Sequence, residues 1–217
     1  MSTVSKNSTS PEARRHTLFI IHYSLLAITM SSSLVSGLKI VFEVVANKLS
    51  AAGVPCLLVG GLAVNHHGYT RNTLDIDWMI VGAHRDVVRD VMKKAGFTNV
   101  AIHENVMFCQ RPGSAWRIDF LFVDDDTMAQ LLSRSERTVV QGKTVSVPSL
   151  KDLIAMKLFS LAQNPARRMG KDLPDIVHLT VLNGLDLEKD IHPLAVRYAS
   201  EAIFDMVSEQ VKALVNE

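Results

Sequence analysis

The sequence predicts an α+β protein: a mixed β-sheet core with flanking helices over residues 33–148, and a C-terminal helical region, residues 149–217, packed on it. Three observations carry that expectation. Short apolar or alternating runs bounded by Gly, Pro and Asn interleave with helix-period segments as far as Val147. Beyond Pro148-Ser149 only helix-period patterns remain, and no repeat, linker or low-complexity stretch divides the two parts. A Gly60-Gly61 turn is followed by Asp75-Ile76-Asp77 inside an apolar run, which puts two carboxylates on one face of a strand.

Taken in order, Leu38, Val41, Val44, Val45 and Leu49 recur at helical spacing between Ser33 and Ala52, until Gly53-Val54-Pro55 ends the pattern. Cys56 to Val59 reads as a short buried strand, and Gly60-Gly61 as a tight turn into a short helix ending near Gly68. Leu74 to Val81 is the next strand. His84 to Lys94 follows as an amphipathic helix closed by Gly96, with Val87, Val88 and Val91 expected inward. Phe97 to Ile102 and Asn105 to Gln110 read as strands, with Arg111-Pro112-Gly113-Ser114 turning into a further strand from Trp116 to Val123. In that strand Trp116, Ile118 and Phe120 alternate with Arg117, Asp119 and Leu121, so Asp119 faces away from a row of large apolar groups. Asp124-Asp125-Asp126 reads as the cap of a helix from Met128 to Ser133, and Thr138 to Val147 as a hairpin turned at Gln141-Gly142. Three helices close the chain: Leu150 to Ala162, Asp172 to Leu182, and Pro193 to roughly Val215.

Composition narrows the class. With 217 residues, 47% hydrophobic and 21% charged, the chain is globular, which excludes disordered and collagen-like architectures. A formal net charge of +1 provides no broad basic field, so any nucleic-acid partner must be gripped locally. Cys56 and Cys109 stand alone in apolar runs, providing neither a disulfide framework nor a metal quartet; buried free thiols and a cytoplasmic location are expected. Residues 1–32 form an N-terminal extension. Arg14-Arg15-His16 before the apolar stretch Leu18 to Met30 is like the start of a signal peptide, but the stretch is short for a membrane span and no clear small-residue cleavage site follows. Initiation at Met30 rather than Met1 is the preferred explanation, and no membrane partner is expected.

The chemistry follows from the acids. Asp75 and Asp77 repel each other unless a cation lies between them, and Asp119 is on a strand able to lie beside theirs. Oxygen-only ligation suits magnesium, which keeps several waters and is completed by substrate phosphates. A nucleoside triphosphate (NTP) with two magnesium ions satisfies that pattern, and backbone N–H groups at Gly60-Gly61 are placed to meet phosphate oxygens.

This order of an apolar strand, Gly-Gly, a short helix, Asp-x-Asp and a later lone Asp resembles the polymerase-β-like nucleotidyltransferase superfamily. More narrowly, Gly60-Gly61-Leu62-Ala63-Val64-Asn65 with His67-Gly68, Arg71, Thr73 and Asp75-Ile76-Asp77 resembles the AbiEii-type nucleotidyltransferases of bacterial abortive-infection and toxin–antitoxin systems. Leu150-Lys151-Asp152-Leu153-Ile154-Ala155-Met156-Lys157 and Lys171-Asp172-Leu173-Pro174-Asp175-Ile176 are similar to that group's C-terminal motifs, so the resemblance covers about residues 37 to 182. It implies Asp75, Asp77 and Asp119 as metal ligands, Asp119 also as base for the acceptor hydroxyl, and Lys157 as a catalytic contact to the triphosphate. It further implies nucleotide binding by Gly60, Gly61, Arg71, Thr73, Lys171, Asp172 and Asp175. The activity implied is transfer of a nucleoside monophosphate from an NTP to an acceptor hydroxyl, releasing pyrophosphate, with tRNA or a protein as acceptor and an antitoxin protein as partner. The alternatives are a small-molecule, aminoglycoside-like acceptor, or a degenerate fold that only binds. One departure bears on that choice: where many superfamily members carry serine after the first glycine, this chain has Gly61 and then Leu62.

Other features have ordinary explanations. Adjacent His66 and His67 lack HExxH spacing and point apart on a helix, so structural roles are expected. Trp78 and Trp116 are expected in packing, and Arg167, Arg168 and Lys171 in a basic loop, solvated or in contact with phosphate.

Overall fold

The structure, a computed structural model, describes residues 39–114 and 116–216; the N-terminal extension and the start of the first expected helix lie outside them. Five strands form one sheet in the order β1-β2-β5-β4-β3: β1 Cys56–Leu58, β2 Asp75–Val81, β5 Arg117–Val123, β4 Val106–Gln110 and β3 Asn99–Ile102. Within it β2 and β5 run parallel and the other three pairings are antiparallel, so the sheet is mixed, as the patterning predicts. A separate hairpin pairs β6 Glu136–Val140 with β7 Lys143–Val147.

The two faces of the sheet are covered differently. On one, Ile76, Trp78 and Ile80 of β2, Ile118 and Phe120 of β5, and Met107 and Cys109 of β4 pack under helix α1, residues 39–51. Val88 and Met92 of a second helix complete that layer; numbered in chain order this is α3, Arg85–Lys94, after α2, Gly60–His66. Phe42 of α1 meets Trp78 edge to face at 5.6 Å, and Trp116 joins the same cluster, so both tryptophans pack in the core as expected. On the other face, Leu57, Val59, Met79 and Val81 pack under Met128 and Leu131 of α4, Asp125–Ser133. That cover reaches only the C-terminal halves of β2 and β5.

A third cluster is helical. It joins Ala63 and Val64 of α2 to Leu153, Ile154 and Leu158 of α5, Leu150–Gln163, and to Leu173, Ile176 and Leu179 of α7, Asp172–Leu182. A single turn, α6, Pro165–Arg168, lies in the basic loop between them. Helix α2 therefore belongs to the sheet by its first residues and to the helical layer by its apolar side. Among the described residues no helix is long and apolar enough to cross a membrane.

Three local features differ from the sequence expectation. Val87 is 43% exposed, because Val88 and Met92 take the inward positions of α3. Leu74, 58% exposed, precedes β2 rather than opening it. The helix expected from Pro193 to Val215 is two, α8 His192–Tyr198 and α9 Glu201–Val215. Ser200 between them is extended, with φ −164° and ψ 165°, and its side chain accepts from the Ile203 N–H. Apolar periodicity runs through this break because both helices feed the same cluster, and the cap residue that marks it is a single serine. Replacing Ser200 by alanine should cost about 1 kcal/mol of stability in urea unfolding, while Ser200→Gly should cost only a few tenths.

Candidate active site

The parallel register of β2 and β5 sets Asp77 beside Asp119 and Asp75 beside Arg117. All four share the face whose C-terminal half lies under α4, so these polar residues occupy the stretch that α4 does not reach. The three predicted carboxylates are thus brought together. Arg117, which the sequence shows only as an alternating position, joins them. Its Nε and Nη2 donate to the two Asp119 carboxylate oxygens at 2.8 Å each, and Nη2 lies 3.5 Å from Asp75 Oδ2. The guanidinium also stands 5.1 Å from the centre of the Phe108 ring, the register partner of Asp119 on β4.

The glycine turn presses on the same cluster. Gly60 has φ +63°, and a Cβ there would collide with the Asp77 carboxylate; at Gly61 it would come within 2.9 Å of the Thr73 side chain. The Val59 N–H donates to the Asp77 carbonyl at 2.9 Å, and the Gly61 backbone N–H favours the charged form of the Asp77 side chain. The two glycines are therefore required first by the close approach of Asp77 and Thr73. Thr73 in turn holds the start of β2, its hydroxyl donating to the Asp75 carbonyl at 3.1 Å.

Burial pushes the Asp77 carboxyl above its usual range; Lys171 and Lys157 oppose this and Asp75 adds to it. Asp119 is raised too, by burial, against the pull of Arg117. Two neighbouring carboxyls displaced upward by burial, despite nearby cations, mark a candidate functional cluster.

Four of the remaining predicted residues, Arg71, Lys157, Asp172 and Asp175, meet on the helical side in one ion network. Lys157 of α5 is buried, with its Nζ 2.8 Å from both Asp172 Oδ1 and Asp175 Oδ2 of α7. Asp175 also takes both prongs of Arg71, at 2.6 and 2.8 Å. Asn65 fixes the Arg71 backbone, accepting its N–H at 3.0 Å and donating to its carbonyl at 3.1 Å. Arg168 reaches Asp172 at 3.7 Å, so part of the basic loop is paired rather than solvated. Lys157 is thus directed at carboxylates, while its charge and that of Lys171 are felt at Asp77.

The remaining acids and thiols have structural explanations. Asp124 caps α4, its carboxylate accepting from the Thr127 N–H at 2.7 Å and the Thr127 hydroxyl at 3.0 Å. Cys56 and Cys109 are free thiols, and burial pushes each up to about 12, so neither is a ready nucleophile.

No protein-family model matches the sequence, and no curated protein matches it. Solved structures do match. The antibiotic-resistance factor ANT(2'')-Ia in solution aligns with a TM-score of 0.57 over 80% of this chain and 96% of its own, at 14% identity. The same protein in complex with adenylyl-2''-tobramycin aligns with a TM-score of 0.53 over 81% of this chain and 98% of its own, again at 14% identity. The chain has the nucleotidyltransferase fold. In this nucleotidyltransferase fold the sheet carries the carboxylates, and α5 and α7 carry the ion network.

That network has a thermodynamic sign. Burial alone would raise Asp175, but Arg71 and Lys157 outweigh it and hold the carboxyl below its usual range. A folded pKa below the unfolded one adds stability that is complete above the ordinary carboxylate range and is lost as pH falls through the depressed folded value. Asp175→Ala, which strands Arg71 and leaves Lys157 with Asp172 alone, should lower stability near neutral pH by about 3–5 kcal/mol in urea denaturation. The gap from wild type should narrow on acidification; a loss below about 1 kcal/mol would reduce the network to a surface-type pair.

Proposed function

We propose that this chain is a metal-dependent nucleotidyltransferase that moves a nucleoside monophosphate from an NTP to an acceptor hydroxyl and releases pyrophosphate. The observation that carries the proposal is the registration of Asp77 with Asp119 beside Asp75, with the Gly60-Gly61 turn packed against Asp77.

The residues fit magnesium. The donor set is three carboxylates, and their repulsion is met by the Arg117 guanidinium, which acts as a stand-in cation. Asp75, Asp77 and Asp119 would hold two ions, which when bound neutralise phosphate charge and favour the leaving pyrophosphate. Around them the chain's own residues position groups and shift protons. Asp119, raised by burial, takes the acceptor hydroxyl's proton at a carboxylate oxygen once Arg117 has released it. Lys171 and the basic edge of the helical side face the triphosphate, and Arg71, Asp175, Asp172 and Lys157 act as the rigid frame that holds this wall to α2. Thr73 and the glycines bring the turn against the nucleotide's phosphates.

Within that chemistry the AbiEii-type toxin reading, with tRNA or protein as acceptor and an antitoxin as partner, is supported by the C-terminal motifs, since Lys157, Asp172 and Asp175 from two separate segments meet in one network. A small-molecule acceptor is the second reading, favoured by the fold's likeness to a protein solved with adenylyl-2''-tobramycin.

Two experiments test the proposal. Purified protein incubated with α-labelled NTPs, magnesium and total cell extract should label one class of molecule, and Asp77→Asn should cut that transfer by about 100-fold or more while preserving the fold. Undiminished transfer overturns the assignment. If Arg117 is the resident counter-cation, Arg117→Met should bind manganese about tenfold more tightly in calorimetric titration without nucleotide, because the ion no longer displaces a charge-assisted bond.

A further inference from the structure

We propose that His66, His67 and Glu136 form a site for zinc or a similar transition-metal ion that clips the β6–β7 hairpin to the end of α2, apart from the carboxylates of the candidate active site.

The three residues converge from two elements. His66 is the last residue of α2 and Glu136 the first of β6, and one donor atom from each residue lies within 4.8 Å of the other two. His67 is the cap residue of α2, with φ −82° and ψ 14°, and its ring stands 4.9 Å from that of His66, edge to face. Two imidazole nitrogens and one carboxylate oxygen make a borderline donor set, suited to zinc and unlike the oxygen-only set expected for magnesium.

The protonation pattern supports ligation. His67 Nε2 lies 2.8 Å from the Pro148 carbonyl, which can only accept, so Nε2 carries the hydrogen and Nδ1 presents its lone pair. A backbone carbonyl that fixes the tautomer in this way is the usual outer-shell partner of a metal-bound histidine. His66 Nε2 faces Glu136 Oε2 at 3.2 Å, a separation two ligands of one tetrahedral ion can share. The Glu136 side chain is 51% exposed, so the cluster is open to solvent on that side.

Such an ion would cross-link the hairpin to a helix whose other end is the Gly60-Gly61 turn. Its role would be structural, and it stands independently of the nucleotidyltransferase proposal. The test uses the full chain, stripped with a chelator and titrated with zinc alone. One zinc should bind per chain, raise the melting temperature by several degrees at about 100-fold excess over Kd, and be replaceable by cobalt with visible absorption bands. His66→Ala and Glu136→Gln should each weaken zinc binding by about tenfold or more, the exposed Glu136→Gln without changing the apo fold by circular dichroism. Asp77→Asn and Asp119→Asn should leave zinc affinity unchanged. Absence of zinc binding by the folded protein overturns the proposal, as does binding that survives both site variants or is lost in the aspartate variants. Nucleotide transfer, assayed separately, reports on the active-site proposal whichever way zinc behaves.

Discussion

The parallel pairing of β2 with β5 imposes the constraint on which the rest depends, because it seats Asp77 against Asp119 and Asp75 against Arg117 on one sheet face. Like charges at neighbouring strand positions are destabilising, and burial raises both Asp77 and Asp119. The fold answers with Arg117, which grips both oxygens of Asp119 and leans toward Asp75. A cluster held this way is complete enough to fold and still short of positive charge. That combination suits a site that receives cations and a polyphosphate together.

Other parts of the molecule can be understood as serving that cluster. The apolar ends of β2 and β5 pack Met79 and Val81 of β2, with Leu121 and Val123 of β5, under α4, so the strands are held firmly while their acidic starts stay clear of that helix. Glycine at residues 60 and 61 lets the turn touch Asp77 and Thr73, which side chains would prevent. From that turn α2 runs into the helical layer, where Arg71, Asp175, Lys157 and Asp172 balance two cations against two anions in a largely buried setting. Breaking such a network strands a charge away from water, so it resists change more than its net stabilisation alone would suggest.

Strands and most helices were legible because their periodicity follows from which face is buried: Ile76, Trp78 and Ile80 against one layer, Asp75 and Asp77 on the other side. The break at Ser200 was not, because α8 and α9 feed the same cluster and keep one apolar rhythm across it. Arg117 was visible as a neighbour two residues before Asp119, yet its bidentate grip depends on side-chain reach along the strand, and its approach to Asp75 on register between segments distant in sequence. Lys157 illustrates the converse: family resemblance marked it for the triphosphate, while the fold turns its ammonium to Asp172 and Asp175.

By itself the sequence determined an α+β chain, the order of its elements and the three acids on strand faces, since these rest on local spacing and burial. Only the tertiary structure decided that β2 and β5 lie side by side and parallel, that an arginine is held against their acids, and that Lys157, Arg71, Asp172 and Asp175 meet in one network. It also brought Glu136 to His66 and His67 at the end of α2. The physical reason is common to all four: pairing across long sequence separation is set by how whole layers pack, and charge placement follows from that packing rather than from neighbours along the chain.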